Sequence, residues 1–166
     1  INDYNPQEAT DNDDGSCYYE THHNFFPLSR GGLKNDFGGH DNTPLFRGVI
    51  EGHSDCVNIM LAAGASEHLN DSEERNCLHW AALSGHAKIA LLLIEAGCPV
   101  DKADLDGLQP LHQAASQGHS NVMASLLCNG ADPNIPDLTG STPLHWAALS
   151  GLTEAVRLLL SKGADA

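Results

Sequence analysis

Basic side chains are scarce in this sequence. Eight Lys and Arg stand against 22 Asp and Glu over 166 residues, a formal net charge of −14. Neutralising a phosphate backbone needs clustered Lys and Arg, so the balance argues against nucleic acid as the main partner and equally against an anionic membrane surface. Aromatic residues are few as well, at 5%, while apolar residues reach 41%. A core must therefore be built from Ala, Leu, Ile and Val rather than from large rings. No apolar run approaches the roughly 18–20 residues that a membrane span requires. The five cysteines (Cys17, Cys56, Cys77, Cys98 and Cys128) form neither a disulfide framework nor a CxxC zinc pattern. Reduced thiols in a cytoplasmic or nuclear protein are the expectation. The chain opens on Ile1 with no signal-peptide pattern after it, and is expected to be a piece of a longer protein.

What the sequence does have is a period. Thr43-Pro44-Leu45, Asn76-Cys77-Leu78, Gln109-Pro110-Leu111 and Thr142-Pro143-Leu144 recur every 33 residues. Gly52, Gly85, Gly118 and Gly151 keep the same spacing, as do Gly64, Gly97, Gly130 and Gly163. Three landmarks in step over four cycles mark a repeat array. Each cycle reads as two short helices. Thr43 and Thr142 are good N-caps, with proline at the first helical position where its missing N–H costs nothing. The first glycine row stops the first helix. A second helix follows, with apolar residues at helical spacing such as Ile89, Leu92 and Leu93 or Val156, Leu159 and Leu160. The second glycine row ends it. About a dozen residues rich in Asp, Asn, Pro and Gly then form turns and hairpin-like fingers.

The stretches Cys77-Leu78-His79-Trp80-Ala81-Ala82, Pro110-Leu111-His112-Gln113-Ala114-Ala115 and Thr142-Pro143-Leu144-His145-Trp146-Ala147-Ala148 closely resemble the ankyrin signature. Gly85-His86, Gly118-His119, Gly97-Cys98 and Gly130-Ala131-Asp132 extend the resemblance, which covers about residues 41–166. It implies an all-α solenoid of stacked helix-turn-helix units with hairpin-like finger loops, preceded by an irregular N-terminal segment. The repeats fall at about 41–73, 74–106, 107–139 and 140–166. One helix pair cannot bury its apolar face alone, so stability accrues repeat by repeat. Leu45, Leu78, Leu111 and Leu144 should form one ladder of the shared core, and Met60, Leu93, Leu126 and Leu159 another.

The departures are informative. Repeat one has Phe46 where the others have His, and Asp41 where a turn glycine is expected, as suits an end unit. In the next finger Glu74 replaces the glycine found at Gly107 and Gly140, and Glu67 occupies a usually apolar place. The chain stops within a finger at Ala166, so further repeats or a cap are expected to follow. Residues 1–40 carry no helical or strand period and a net charge of −5 from seven acids against Arg30 and Lys34. They are expected to be largely disordered or extended, with Phe25, Phe26, Leu28 and Phe37 as a candidate cover for repeat one.

The ten histidines, the cysteines and the acidic tail are the candidates for site chemistry. The sets His79, His112, His145 and His53, His86, His119 follow the repeat period. The resemblance implies that the first set bonds loop backbone and the second lies at helix starts. Equivalent places in adjacent repeats lie roughly 10 Å apart by helix-packing distances, too far for ligands at about 2 Å from a shared metal. Asp11-Asn12-Asp13-Asp14-Gly15 puts Thr10 and Thr21 where a calcium loop needs carboxylates. Cys56 falls on the inward side of a second helix and Cys77 takes a proline position. No nucleophile elbow, phosphate loop or paired-carboxylate motif is present. No catalytic activity, metal or cofactor is expected.

The resemblance implies a protein-interaction module that binds a protein or peptide through its concave face, made of fingers and first helices. The alternative is a structural scaffold segment packing against other domains of a larger protein. Carried over by position, the variable finger sites are Asn70, Ser72, Glu73 and Arg75, then Ala103, Leu105, Asp106 and Leu108, then Pro136, Leu138, Thr139 and Ser141. The helix sites are Ile50 and Glu51, Leu83 and Ser84, Ser116 and Gln117, Leu149 and Ser150. Arg47, Trp80, Gln113 and Trp146 form an inner row. Leu83, Leu105, Leu108, Leu138 and Leu149 are apolar where water is expected, and two readings stand for them and for the tryptophans: partner contact or packing between repeats. Nine finger acids (Glu67, Asp71, Glu73, Glu74, Asp101, Asp104, Asp106, Asp132, Asp137) suggest an acidic rim, and hence a partner with basic residues flanking apolar anchors. Asn134 occupies the finger position that asparaginyl hydroxylases modify in similar ankyrin proteins.

Overall fold

A computed structural model describes residues 43–66 and 69–166. The expectations for residues 1–40, for Asp41 and for Glu67 lie outside these. Four helix pairs follow one another: α1 (Pro44–Ile50) with α2 (Ser54–Ala62), α3 (Cys77–Ser84) with α4 (Ala87–Ala96), α5 (Pro110–Gln117) with α6 (Ser120–Cys128), and α7 (Pro143–Leu149) with α8 (Thr153–Ser161). The described residues contain no strand, only an isolated antiparallel bridge between Asn70 and Asn76. The odd-numbered helices stack on one another as an inner layer and the even-numbered ones as an outer layer. This is the all-α repeat architecture that the period implies.

Local chemistry explains the helix boundaries. Thr43 accepts the N–H of Phe46 at the start of α1. Ahead of α3, Asn76 accepts the N–H of His79 at 3.1 Å while His79 Nδ1 accepts the N–H of Asn76 at 3.2 Å, a reciprocal capping box. The ends are fixed by glycines of left-handed backbone such as Gly85 (φ 76) and Gly97 (φ 104). Gly85 has a second reason to lack a side chain. A Cβ there would stand 2.6 Å from the ring of His119, which is seated over it from the next repeat.

The inner ladder Leu45, Leu78 and Leu111 is buried, and Leu144 is half-buried. Leu93, Leu126 and Leu159 are fully buried in the outer ladder, with Met60 half-buried. Truncating such a leucine to alanine costs about 2–5 kcal/mol. Ala81, Ala82, Ala114 and Ala115 are also fully buried, which lets the inner helices approach closely. Phe46, in the histidine place of repeat one, is buried as part of the same core.

Histidines tie the stack together. His79 Nε2 donates to the carbonyl of Leu108 at 3.0 Å, and His112 Nε2 to those of Ile135 at 3.1 Å and Ser141 at 3.3 Å. His86 and His119, each preceding an outer helix, donate to the carbonyls of Ile50 and Leu83 at 3.2 Å. All of these bonds except that to Ile135 join one repeat to its neighbour. His145 is exposed and bonds only locally, to Thr142.

One expectation about the core is corrected. Cys56 is exposed rather than turned inward. Its periodic equivalents Ile89, Val122 and Ala155 are buried, and each has an outer helix of the preceding repeat to pack against. No outer helix precedes α2 among the described residues, so the row is uncovered at its first member.

Candidate partner-binding face

Three fingers carry the same hydrogen-bond frame. Asp71 accepts the N–H groups of Glu73 and Arg75, both at 2.9 Å. Asp104 accepts those of Asp106 at 3.0 Å and Leu108 at 2.9 Å, and Asp137 those of Thr139 at 2.8 Å and Ser141 at 2.9 Å. Each aspartate therefore holds a tight turn by accepting backbone donors two and four residues on. The turn brings the fourth residue into left-handed backbone: Glu74 (φ 60), Gly107 (φ 78) and Gly140 (φ 84). The fingers are also joined to each other. Leu105 donates its N–H to the carbonyl of Glu73, and Leu138 to that of Asp106, each at 3.1 Å.

This frame corrects the acidic-rim expectation. Asp71 and Asp137 are buried and Asp104 is half-buried, because their carboxylates face the turn interior. Burial raises the Asp71 pKa, but donors from Arg75 and Glu73 together with the Arg75 charge outweigh it and leave the group below its ordinary value. Burial likewise opposes ionisation of Asp137, yet the donors from Thr139, Ser141 and Trp146 bring its pKa down to about 2. The exposed acids of the fingers are Glu73, Glu74, Asp101, Asp106 and Asp132. Glu73 is paired with Arg75 at 2.8 Å and Glu74 with Lys102 at 2.9 Å.

The two tryptophans are half-buried and polar-bonded. Trp80 Nε1 donates to the second carboxylate oxygen of Asp71 at 3.1 Å, and Trp146 Nε1 to that of Asp137 at 2.9 Å. In repeat two the guanidinium of Arg75 lies over the Trp80 ring, 4.5 Å from its centroid, and pairs with Asp71 at 2.9 Å. Trp80, Asp71 and Arg75 thus form one packed cluster. Sequence reasoning placed Trp80 and Arg75 on the face without seeing the carboxylate between them. The signal was present as a fixed interval of nine residues from aspartate to tryptophan, seen twice.

The leucines separate. Leu105 is 57% exposed, Leu138 78% and Leu149 82%. Leu83 and Leu108 are half-buried, which accords with packing between repeats, the second of their two readings. Glu73, Asp106, Gln117, Thr139 and Ser150 are exposed, as are Ser72 and Pro136. Asn70, Arg75, Ser84, Ala103, Gln113, Ser116 and Ser141 are half-buried. Asn134 is half-buried and bridges to the last finger: its Nδ2 donates to the carbonyl of Gly163 at 3.0 Å and its Oδ1 accepts the N–H of Asp165 at 2.8 Å. Among the described residues no group of three or more His, Cys, Asp or Glu is arranged to hold a metal ion, and no helix is long and apolar enough to cross a membrane.

A family model described as ankyrin repeats in three copies matches residues 28–104, 45–137 and 97–166, overlapping placements that together span most of the chain. A search of curated proteins finds no match.

Proposed function

Because this chain belongs to the ankyrin-repeat family, whose members are generally protein-interaction modules, we propose that it binds a polypeptide partner through the face made by its fingers and inner helices. The observation that carries this reading is the exposure of three leucines, Leu105, Leu138 and Leu149, on that face. Two of them sit on fingers whose backbones are bonded to each other. Exposed apolar groups on a rigid frame suit binding, since little conformational freedom is lost when a partner docks. The unpaired rim acids Asp101, Asp106 and Asp132 favour a partner with Lys or Arg beside its apolar anchors, and act more on association rate than on affinity.

Asn134 is a separate proposal. Its side chain is the place for hydroxylation, and its two bonds to the last finger mean that an enzyme must first draw it out of that bridge.

The test is affinity capture from cell lysate with the chain and with a Leu105→Glu/Leu138→Glu variant, circular dichroism checking that both fold. A partner kept by the parent chain and lost by the folded variant supports the proposal. A partner bound equally by both sinks it, and favours a scaffold segment whose contacts lie elsewhere.

A further inference from the structure

Repeat two differs from its neighbours at two positions that the fold brings to one end of the helix pair. Cys77 is the first residue of α3, where repeats three and four have Pro110 and Pro143. Cys98 follows the glycine that ends α4, where they have Ala131 and Ala164. The two helices of a repeat run antiparallel, so the start of α3 lies beside the end of α4. The residues flanking the two cysteines are in direct contact: Asn76 Nδ2 donates to the carbonyl of Pro99 at 3.2 Å. Both side chains belong to the buried core, Cys77 with no exposure and Cys98 with 3%. Thus the proline and the alanine that the other repeats carry at these two positions are both replaced by thiols within one repeat.

We propose that Cys77 and Cys98 are a redox clasp, two thiols placed to close an intrarepeat disulfide that ties the start of α3 to the end of α4. The oxidant is a small-molecule disulfide. A thiolate of one cysteine attacks it, forming a mixed disulfide and releasing one small thiol. The second cysteine, as thiolate, then attacks the mixed disulfide at the protein sulfur and expels the other small thiol. Two protein thiols lose two hydrogens and two electrons in all, and the oxidant is reduced to two thiols. Burial sets the kinetics, since the oxidant must reach sulfur atoms that the closed repeat covers. Exchange therefore waits on opening of the helix ends, whereas the exposed Cys56 and Cys128 react directly. The closed clasp restrains the unfolded chain and so raises the thermal midpoint of the array.

The test uses the chain with Cys17, Cys56 and Cys128 replaced by serine, its fold checked by circular dichroism. It is equilibrated with oxidised and reduced glutathione, quenched in acid and mapped by mass spectrometry without reduction. The expected result is loss of both thiols, a species lighter by two hydrogens, and one peptide pair joined through Cys77 and Cys98. The rate should rise in urea below the unfolding transition, and the thermal midpoint should rise on oxidation and return on reduction. Should the serine background fail to fold, the same peptide mapping on the parent chain reads the Cys77–Cys98 link directly. Persistence of both thiols in the parent chain under conditions that oxidise its Cys56 and Cys128, or glutathione adducts at Cys77 and Cys98 without a link between them in either chain, overturns the proposal.

Discussion

Trp146 and Asp137 are joined by an indole N–H to carboxylate bond of 2.9 Å. The same carboxylate holds the finger through Thr139 and Ser141, including a 2.6 Å bond from the Thr139 hydroxyl. One side chain thus fixes both the loop and the ring beside it. Asp137→Ala should leave these donors without their acceptor and lower stability by about 2–3 kcal/mol, read by urea denaturation. Asp137→Asn should also destabilise, because both oxygens accept and an amide nitrogen would oppose a donor. Trp146→Phe, which removes one bond only, should cost less than either. Equal loss from all three would mean that the finger does not depend on this carboxylate.

Acid should loosen the stack through His79. Burial brings its pKa from 6.5 to about 4, against opposing effects of the Leu108 carbonyl and nearby aspartates. Between those values the unfolded chain binds a proton that the folded chain does not, so stability falls as pH drops from 6.5 toward 4 and is flat above that window. The full span corresponds to about 3 kcal/mol. His112, shifted down chiefly by burial, adds in the same direction. Denaturant melts at pH 7 and 4.5 check this, with His79→Gln expected to flatten the profile. Asp137 acts at lower pH. Its contribution is complete above 3.8 and lost as pH falls to about 2.

Glu74 is the one non-glycine residue of positive φ among the described residues. Left-handed backbone costs an ordinary L residue about 1 kcal/mol, and the exposed ion pair to Lys102 returns less than that. Glu74→Gly should therefore stabilise the array slightly. In a Lys102→Ala background the gain should be larger, since no ion pair is lost. Thermal melts of the four chains give the cycle.

Gly85 and Gly151 separate backbone strain from packing. Both have positive φ, 76 and 68. A Cβ at Gly85 meets the His119 ring at 2.6 Å, whereas one at Gly151 meets nothing within 4 Å. Gly151→Ala should cost about 1 kcal/mol for backbone alone, and Gly85→Ala clearly more. Adding His119→Ala should bring the Gly85→Ala cost down to that of Gly151→Ala.

Hydroxylation of Asn134 predicts a gain of one oxygen atom on the peptide that carries it. Mass spectrometry of protein from oxygenated cells checks this, and an unmodified peptide at full coverage counts against it. Weakening the last finger with Asp165→Pro, which deletes the N–H that Asn134 accepts, should increase the modified fraction.

By itself the sequence determined the repeat, its two helices, their glycine ends and the ladders of leucine. These follow from caps, turns and apolar spacing, which act over a few residues and repeat every 33. It also named candidate positions for a partner-binding face. What it left open is which side chains on that face are available. Asp71, Asp104 and Asp137 read as rim acids, yet their carboxylates turn inward to satisfy backbone donors and, in two cases, an indole. Leu105 and Leu138 are exposed while Leu108 is half-buried. Cys56 loses the cover its equivalents have, and Asn76, beside Cys77, bonds to Pro99, beside Cys98. Periodicity assigns equivalent places, but burial and pairing depend on atoms that a neighbouring helix or finger supplies, and only the folded stack brings those into contact.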